Sequence, residues 1–95
     1  MASKSDSEKA TRIFKALSVE SRVRMLELIK SRSLCVNALA HILKITPAAV
    51  SQHLRILRDS GVLKAEKRGY FVHYSVNMKI LNDWRRTTSS LLKKK

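Results

Sequence analysis

Between Leu34 and Gly61 two short apolar-patterned stretches flank a break of only three residues, Lys44-Ile45-Thr46. The first, Leu34 to Leu43, sets Leu34, Ala38, Leu39 and Ile42 at helical spacing. The second opens on Thr46, a good N-cap, and Pro47, whose missing N–H costs nothing at the first helical position. Val50, Leu54 and Leu57 then recur at i, i+4 and i+7, and Gly61 is a natural left-handed stop. Two helices this short and this tightly joined must cross steeply and share one core.

The rest of the chain arranges itself around this pair. Met1 to about Asp6 is small and polar and is expected to fray. Ala10, Ile13, Phe14 and Leu17 mark a first helix from Ser7 to Leu17. Ser18 is an N-cap candidate for a second, with Glu20 in its first turn and Val23, Met25, Leu26, Leu28 and Ile29 as its apolar set. After Gly61 the period changes to two. Val62 to Glu66 and Tyr70 to Val76 read as strands, with Lys67-Arg68-Gly69 as the turn between them. In the second strand Phe71, His73 and Ser75 point one way, and Tyr70, Val72, Tyr74 and Val76 the other. Asn77 can cap a final helix carrying Ile80, Leu81, Trp84, Leu91 and Leu92, followed by a charged tail, Lys93-Lys94-Lys95. The expected fold is mainly α with a small β-hairpin, in the order α-α-α-α-β-β-α.

Composition narrows the function. Ninety-five residues, 44% of them apolar, make one domain with a modest core. Twenty Lys and Arg against seven Asp and Glu give a formal charge of +13. Nucleic acid is the commonest partner of such a surface, because each neutralised phosphate releases condensed counterions. The single cysteine, Cys35, excludes an intramolecular disulfide and fits a cytoplasmic protein. Met1 to Glu8 is polar with no apolar run behind it, so no signal peptide is expected, and no stretch is apolar enough to span a membrane.

In a helix-turn-helix the second helix lies in the major groove and reads base edges with its N-terminal residues. With Val50, Leu54 and Leu57 turned inward, the opposite face carries Thr46, Ala48, Ala49, Ser51, Gln52 and Arg55, with no acid among them. Gln52 suits adenine, Ser51 several bases, and the Ala48 or Ala49 methyl a thymine methyl. Arg55 and Arg58 suit phosphates, which position without specifying sequence. Lys67 and Arg68 make the hairpin tip a cationic finger beside this helix, the arrangement of a winged helix-turn-helix.

Several segments, in consistent order from Thr11 to Val76, resemble the ArsR (ArsR/SmtB) family of winged-helix repressors. They are Phe14-Lys15-Ala16-Leu17-Ser18, Arg22 to Ile29, Leu34-Cys35-Val36, Pro47 to Arg58, Gly61-Val62-Leu63 and Val72 to Val76. The resemblance implies a homodimer bound to an inverted-repeat operator and released by a ligand or modification, here an unknown inducer. It also implies dimerisation through the first and last helices, whose Phe14, Leu17, Leu81, Trp84 and Leu91 offer more apolar surface than one small domain covers. The alternative for Trp84 is closure of the chain's own core. Metal-sensing members carry a Cys-Val-Cys pair where this chain has Cys35-Val36-Asn37, and His41, His53 and His73 lie in different elements. No metal site and no cofactor are therefore expected. Cys35 is expected to be a buried, inert thiol; as a redox or ligand sensor it would need a thiol from outside its own chain. Tyr70 stands where many members have a wing arginine, which leaves the wing's charge to Lys67 or Arg68.

Two other classes remain to be weighed. A non-regulatory architectural DNA-binding or RNA-binding winged helix shares these features, though five aromatic residues and no stacking platform speak against RNA. No catalytic residues are expected: there is no phosphate loop, no paired-carboxylate spacing and no Ser-His-Asp order.

Overall fold

α1 spans Lys4–Ala16 and begins ahead of the expected Ser7. The structure, a computed structural model, describes residues 4–94; residues 1–3 and 95, the outermost parts of the polar start and the charged tail, lie outside it. α1 buries Ala10, Ile13 and Ala16 and leaves Phe14 44% exposed. Ser18 closes α1 instead of opening the next helix: its hydroxyl donates to the Lys15 carbonyl at 2.8 Å. α2, Glu20–Ser31, is preceded by Val19, which makes no side-chain cap. Its buried face is Arg22, Met25, Leu26 and Ile29, one position round from the expected stripe, so Val23 faces outward.

The start of the expected third helix is instead a strand. β1, Leu34–Cys35, pairs antiparallel with a strand of the hairpin, Leu34 opposite Tyr74 and Cys35 opposite His73. Only then does α3 begin, at Val36–Leu43, burying Leu39, Ala40 and Leu43, with Ala38 and Ile42 half-buried. Pairing to the hairpin satisfies backbone groups that a helix's first turn would leave open. α3 stops at Lys44, whose backbone is left-handed at φ 57° and whose N–H donates to the Ala40 carbonyl. A non-glycine residue there costs about 1–2 kcal/mol.

α4, Pro47–Asp59, is built as its sequence suggests. The Thr46 hydroxyl accepts from the Ala49 N–H at 3.1 Å, Pro47 opens the first turn, and Val50, Leu54 and Leu57 are buried. Gly61, at φ +89°, takes the left-handed turn that leads into the hairpin, and its N–H donates to the Arg58 carbonyl at 2.9 Å. β2, Leu63–Arg68, and β3, Phe71–Val76, pair in register from Leu63 opposite Val76 to Arg68 opposite Phe71. The turn is accordingly Gly69-Tyr70; Lys67 and Arg68 are strand residues. Gly69 has φ +63° and Tyr70 is not left-handed, the pattern of a type II′ hairpin turn. The sheet order is β1-β3-β2.

α5, Met78–Leu92, is capped by Asn77, whose side-chain oxygen accepts from the Ile80 N–H at 3.3 Å. The Asn77 N–H donates to the Val62 carbonyl at 2.8 Å, tying α5 to the end of the helix pair. One core joins Met25, Ile29, Leu39, Val50, Leu54, Leu57 and Val62, all almost wholly buried, with Ile13 of α1 and Trp84 of α5. Each large apolar side chain so buried contributes about 1.5–3 kcal/mol relative to exposure. Among the described residues no helix is long and apolar enough to cross a membrane.

Candidate nucleic-acid interface

α4 turns its N-terminal half to solvent. Thr46, Ala48, Ser51 and Gln52 are exposed, as are Arg55 and Arg58 further along; Ala49 is half-buried and presents less of its methyl than Ala48. The first turn holds no acid, so its free N–H groups and the positive end of the helix dipole face outward unopposed. Thr46 both caps the helix and keeps its hydroxyl proton for an outside acceptor. Arg55 reaches Asp59 at 4.0 Å with both side chains largely exposed, a contact too weak to withhold it from a phosphate. Ile56, 42% exposed, adds an apolar flank that polarity alone did not suggest.

The wing follows directly. Cross-strand partners share a face, so Lys67 lies with Val72 and Arg68 with Phe71, on opposite sides of the hairpin. Arg68 donates to the Ser33 hydroxyl at 3.3 Å and lies 3.6 Å from the Glu66 carboxylate, both toward the base of the wing. Lys67 is exposed.

Behind α4 the structure places a charge that sequence reasoning missed. Arg22 is 8% exposed, with one guanidinium nitrogen donating to the Lys15 carbonyl at 3.4 Å and Nε without a partner. It lies near His53 of α4, whose Nδ1 is likewise buried and unpaired. Burial, and then the Arg22 charge, hold the His53 pKa below its ordinary value of 6.5. The signal was present: Arg22, Met25, Leu26 and Ile29 share one helical stripe.

The remaining expected residues separate into two groups. Cys35 is free and half-buried, facing His73 across β1 and β3, with Glu66 beyond on the same face. Among the described residues no group of three or more His, Cys, Asp or Glu is arranged to hold a metal ion. At the far side α1 packs against α5, and Asp83 ion-pairs with Lys9 and lies 3.9 Å from Arg86. These contacts hold the Asp83 carboxyl below its usual pKa, the hydrogen bond from Lys9 first among them. Phe14 and Leu91 are exposed, Leu17 and Leu81 half-buried. Trp84, grouped with them from sequence, is 7% exposed and fills the chain's own core, the alternative allowed for it.

A helix-turn-helix with an exposed, acid-free N-terminal reading face and an adjacent hairpin defines a winged-helix DNA-binding domain. The model of the arsR family of bacterial regulatory proteins matches residues 20–65. The transcriptional repressor SdpR of Bacillus subtilis is 32% identical over 71 residues, covering 75% of this chain and 79% of its own. A CadC homologue of Staphylococcus aureus, a cadmium resistance transcriptional regulatory protein, is 37% identical over 67 residues, of which the chain spans only 55% of the relative's length. Reduced HlyU from Vibrio cholerae superposes with a TM-score of 0.78 at 26% identity, over 96% of each chain. The chain belongs to the ArsR family, and its class is that of DNA-binding transcriptional regulators.

Proposed function

We propose that this protein is a homodimeric repressor that binds an inverted-repeat operator in double-stranded DNA. The observation that carries this reading is the α4 surface: Thr46, Ala48, Ser51 and Gln52 exposed on an acid-free helix N-terminus beside Lys67 of the wing. Ser51, Gln52 and the Ala48 methyl read base edges, with Ala49 in a lesser part; Arg55, Arg58, Lys67 and Arg68 meet phosphates. Phe14, Leu17, Leu81 and Leu91 meet a second copy, which spaces two reading helices about 34 Å apart to reach successive major grooves. SdpR supports the repressor role by its name, and the protein would act in the cytoplasm, with its DNA. The cadmium resistance named for the CadC relative is not carried over to this chain, which holds a single cysteine. No catalytic role is assigned.

Selection of bound sequences from a random duplex pool tests the reading. A two-fold symmetric consensus is the expected result, and binding without sequence preference would refute it. Gln52→Ala should relax discrimination at one base pair by about 1–3 kcal/mol. Unchanged discrimination would remove Gln52 from the reading face.

A further inference from the structure

A cleft of about 290 Å³ opens between α1, the end of α4 and α5. Ile13, Ile80 and Trp84 give it apolar walls, and Trp84 is the chain's single tryptophan. Lys9 and Asp83 also line it, but they ion-pair with each other and so cancel. Two lining charges stay available. Arg12 of α1 is exposed and ion-pairs with no acid among the described residues. Asp59, the last residue of α4, has only the 4.0 Å contact with Arg55, both side chains being largely exposed. Arg12 and Asp59 thus line the same cleft from different helices without closing on each other.

The two sides of the cleft differ in sign. On the α4 side the Ser60 hydroxyl donates to the Leu57 carbonyl at 2.6 Å and keeps its lone pairs to accept a hydrogen bond. The last carbonyls of α4 add the negative end of the helix dipole there, which favours a cation. On the α1 side Arg12 offers a planar fork of N–H groups that suits a carboxylate. A ligand of one charge would satisfy one side and leave the other unmatched. A zwitterion with an apolar body matches both sides and the walls between them. The volume suffices for such a body, since about 150 Å³ of apolar cavity already takes up benzene.

We propose that this cleft binds a small zwitterion with an apolar body, the chemistry of an apolar α-amino acid. Its carboxylate meets Arg12, its ammonium meets Asp59 and Ser60, and its side chain packs against Ile13, Ile80 and Trp84. Binding itself requires nothing of DNA. Its consequence rests on the DNA-binding reading above. The ligand touches the exit of the reading helix together with both helices assigned to the contact between copies. Held more tightly in one arrangement of these elements than in another, it shifts affinity for the operator.

Titration of the free protein with L-phenylalanine, read by Trp84 fluorescence, tests the site directly. A saturable change in emission is expected, with a dissociation constant of about 1 mM or below, the range open to a ligand of this size. Hydrocinnamate, which lacks the ammonium, and phenethylammonium, which lacks the carboxylate, should each bind at least about tenfold more weakly. Arg12→Gln should weaken L-phenylalanine about tenfold and leave phenethylammonium unchanged; Asp59→Asn should weaken it about as much without weakening hydrocinnamate. Both side chains are exposed, and circular dichroism confirms that each variant is folded. No saturable response to L-phenylalanine would overturn the proposal, as would equal binding of either single-charge compound or wild-type affinity in either variant. Saturating L-phenylalanine should also change affinity for the duplex selected from a random pool about fivefold or more, and that duplex should change L-phenylalanine affinity by the same factor. Unchanged duplex affinity with binding intact would overturn the coupling to DNA. Failure of the protein to select any duplex would refute the DNA-binding reading, while the titration of free protein would still decide the site.

Discussion

α4 and α5 begin alike and end differently. Both open on a side-chain cap, Thr46 for one and Asn77 for the other, and both alternate apolar with polar residues. α4 buries its whole apolar stripe, Val50, Leu54 and Leu57, within its own chain and turns polar groups outward. α5 buries Trp84 alone, leaving Leu81 half-buried and Leu91 and Leu92 exposed. A helix completed by its own domain is free to meet a charged, hydrated ligand. A helix left incomplete asks for more apolar surface, which in the proposed dimer a second copy of the same face would supply symmetrically.

Four substitutions put this contrast to the test. The largest effect is expected from Leu54→Ala, 1% exposed at the centre of α4, which should cost about 2–5 kcal/mol in urea unfolding. A loss that disappeared at high protein concentration would mean that the α4 core is completed by the partner, against the contrast drawn. Leu91→Asp should leave the chain folded and raise the dimer dissociation constant at least tenfold, about 1.4 kcal/mol, in sedimentation equilibrium. An unchanged constant would move the interface away from α5. Thr46→Ala removes the α4 cap and should cost about 1 kcal/mol of stability. It should weaken DNA binding beyond what that loss explains if the hydroxyl also meets phosphate.

The smallest effect concerns pH. The folded protein holds His53 below 6.5, so the unfolded chain binds its proton first as pH falls. The contribution of neutral His53 is complete above that value and is lost as pH drops through it toward the folded pKa. Denaturation midpoints measured downward from pH 7.5 should therefore decline more steeply in wild type than in His53→Gln. A decline of equal steepness in both would assign the acid sensitivity to other groups.

How much of this was legible in the sequence depended on where each residue's partners lie. α4 was readable residue by residue because its cap, its proline and its stripe are local signals, each acting within one or two turns. The hairpin was legible as a change of period, though its turn sits one position later than expected, because Arg68 still finds a ladder partner in Phe71. β1 was not legible: two residues have no measurable period, and Leu34 and Cys35 are strand only because β3, far along the chain, pairs with them. The inward turn of Arg22 and outward turn of Val23 depend on how α2 packs against α4 and β3, which no propensity encodes. Trp84 went to the chain's own core, since apolar spacing marks a buried face without saying whose core buries it.

β3 is the central strand of the sheet, bonded to β1 at the entrance of α3 and to β2 at the exit of α4. The helix pair is thereby clamped at both ends by one element, and Asn77 fastens α5 to the same junction at Val62. So braced, the helix pair and the sheet hold one another in place. In the proposed dimer, a signal that loosened it from an operator would have less to gain by deforming α4 than by changing the angle between two such braced units.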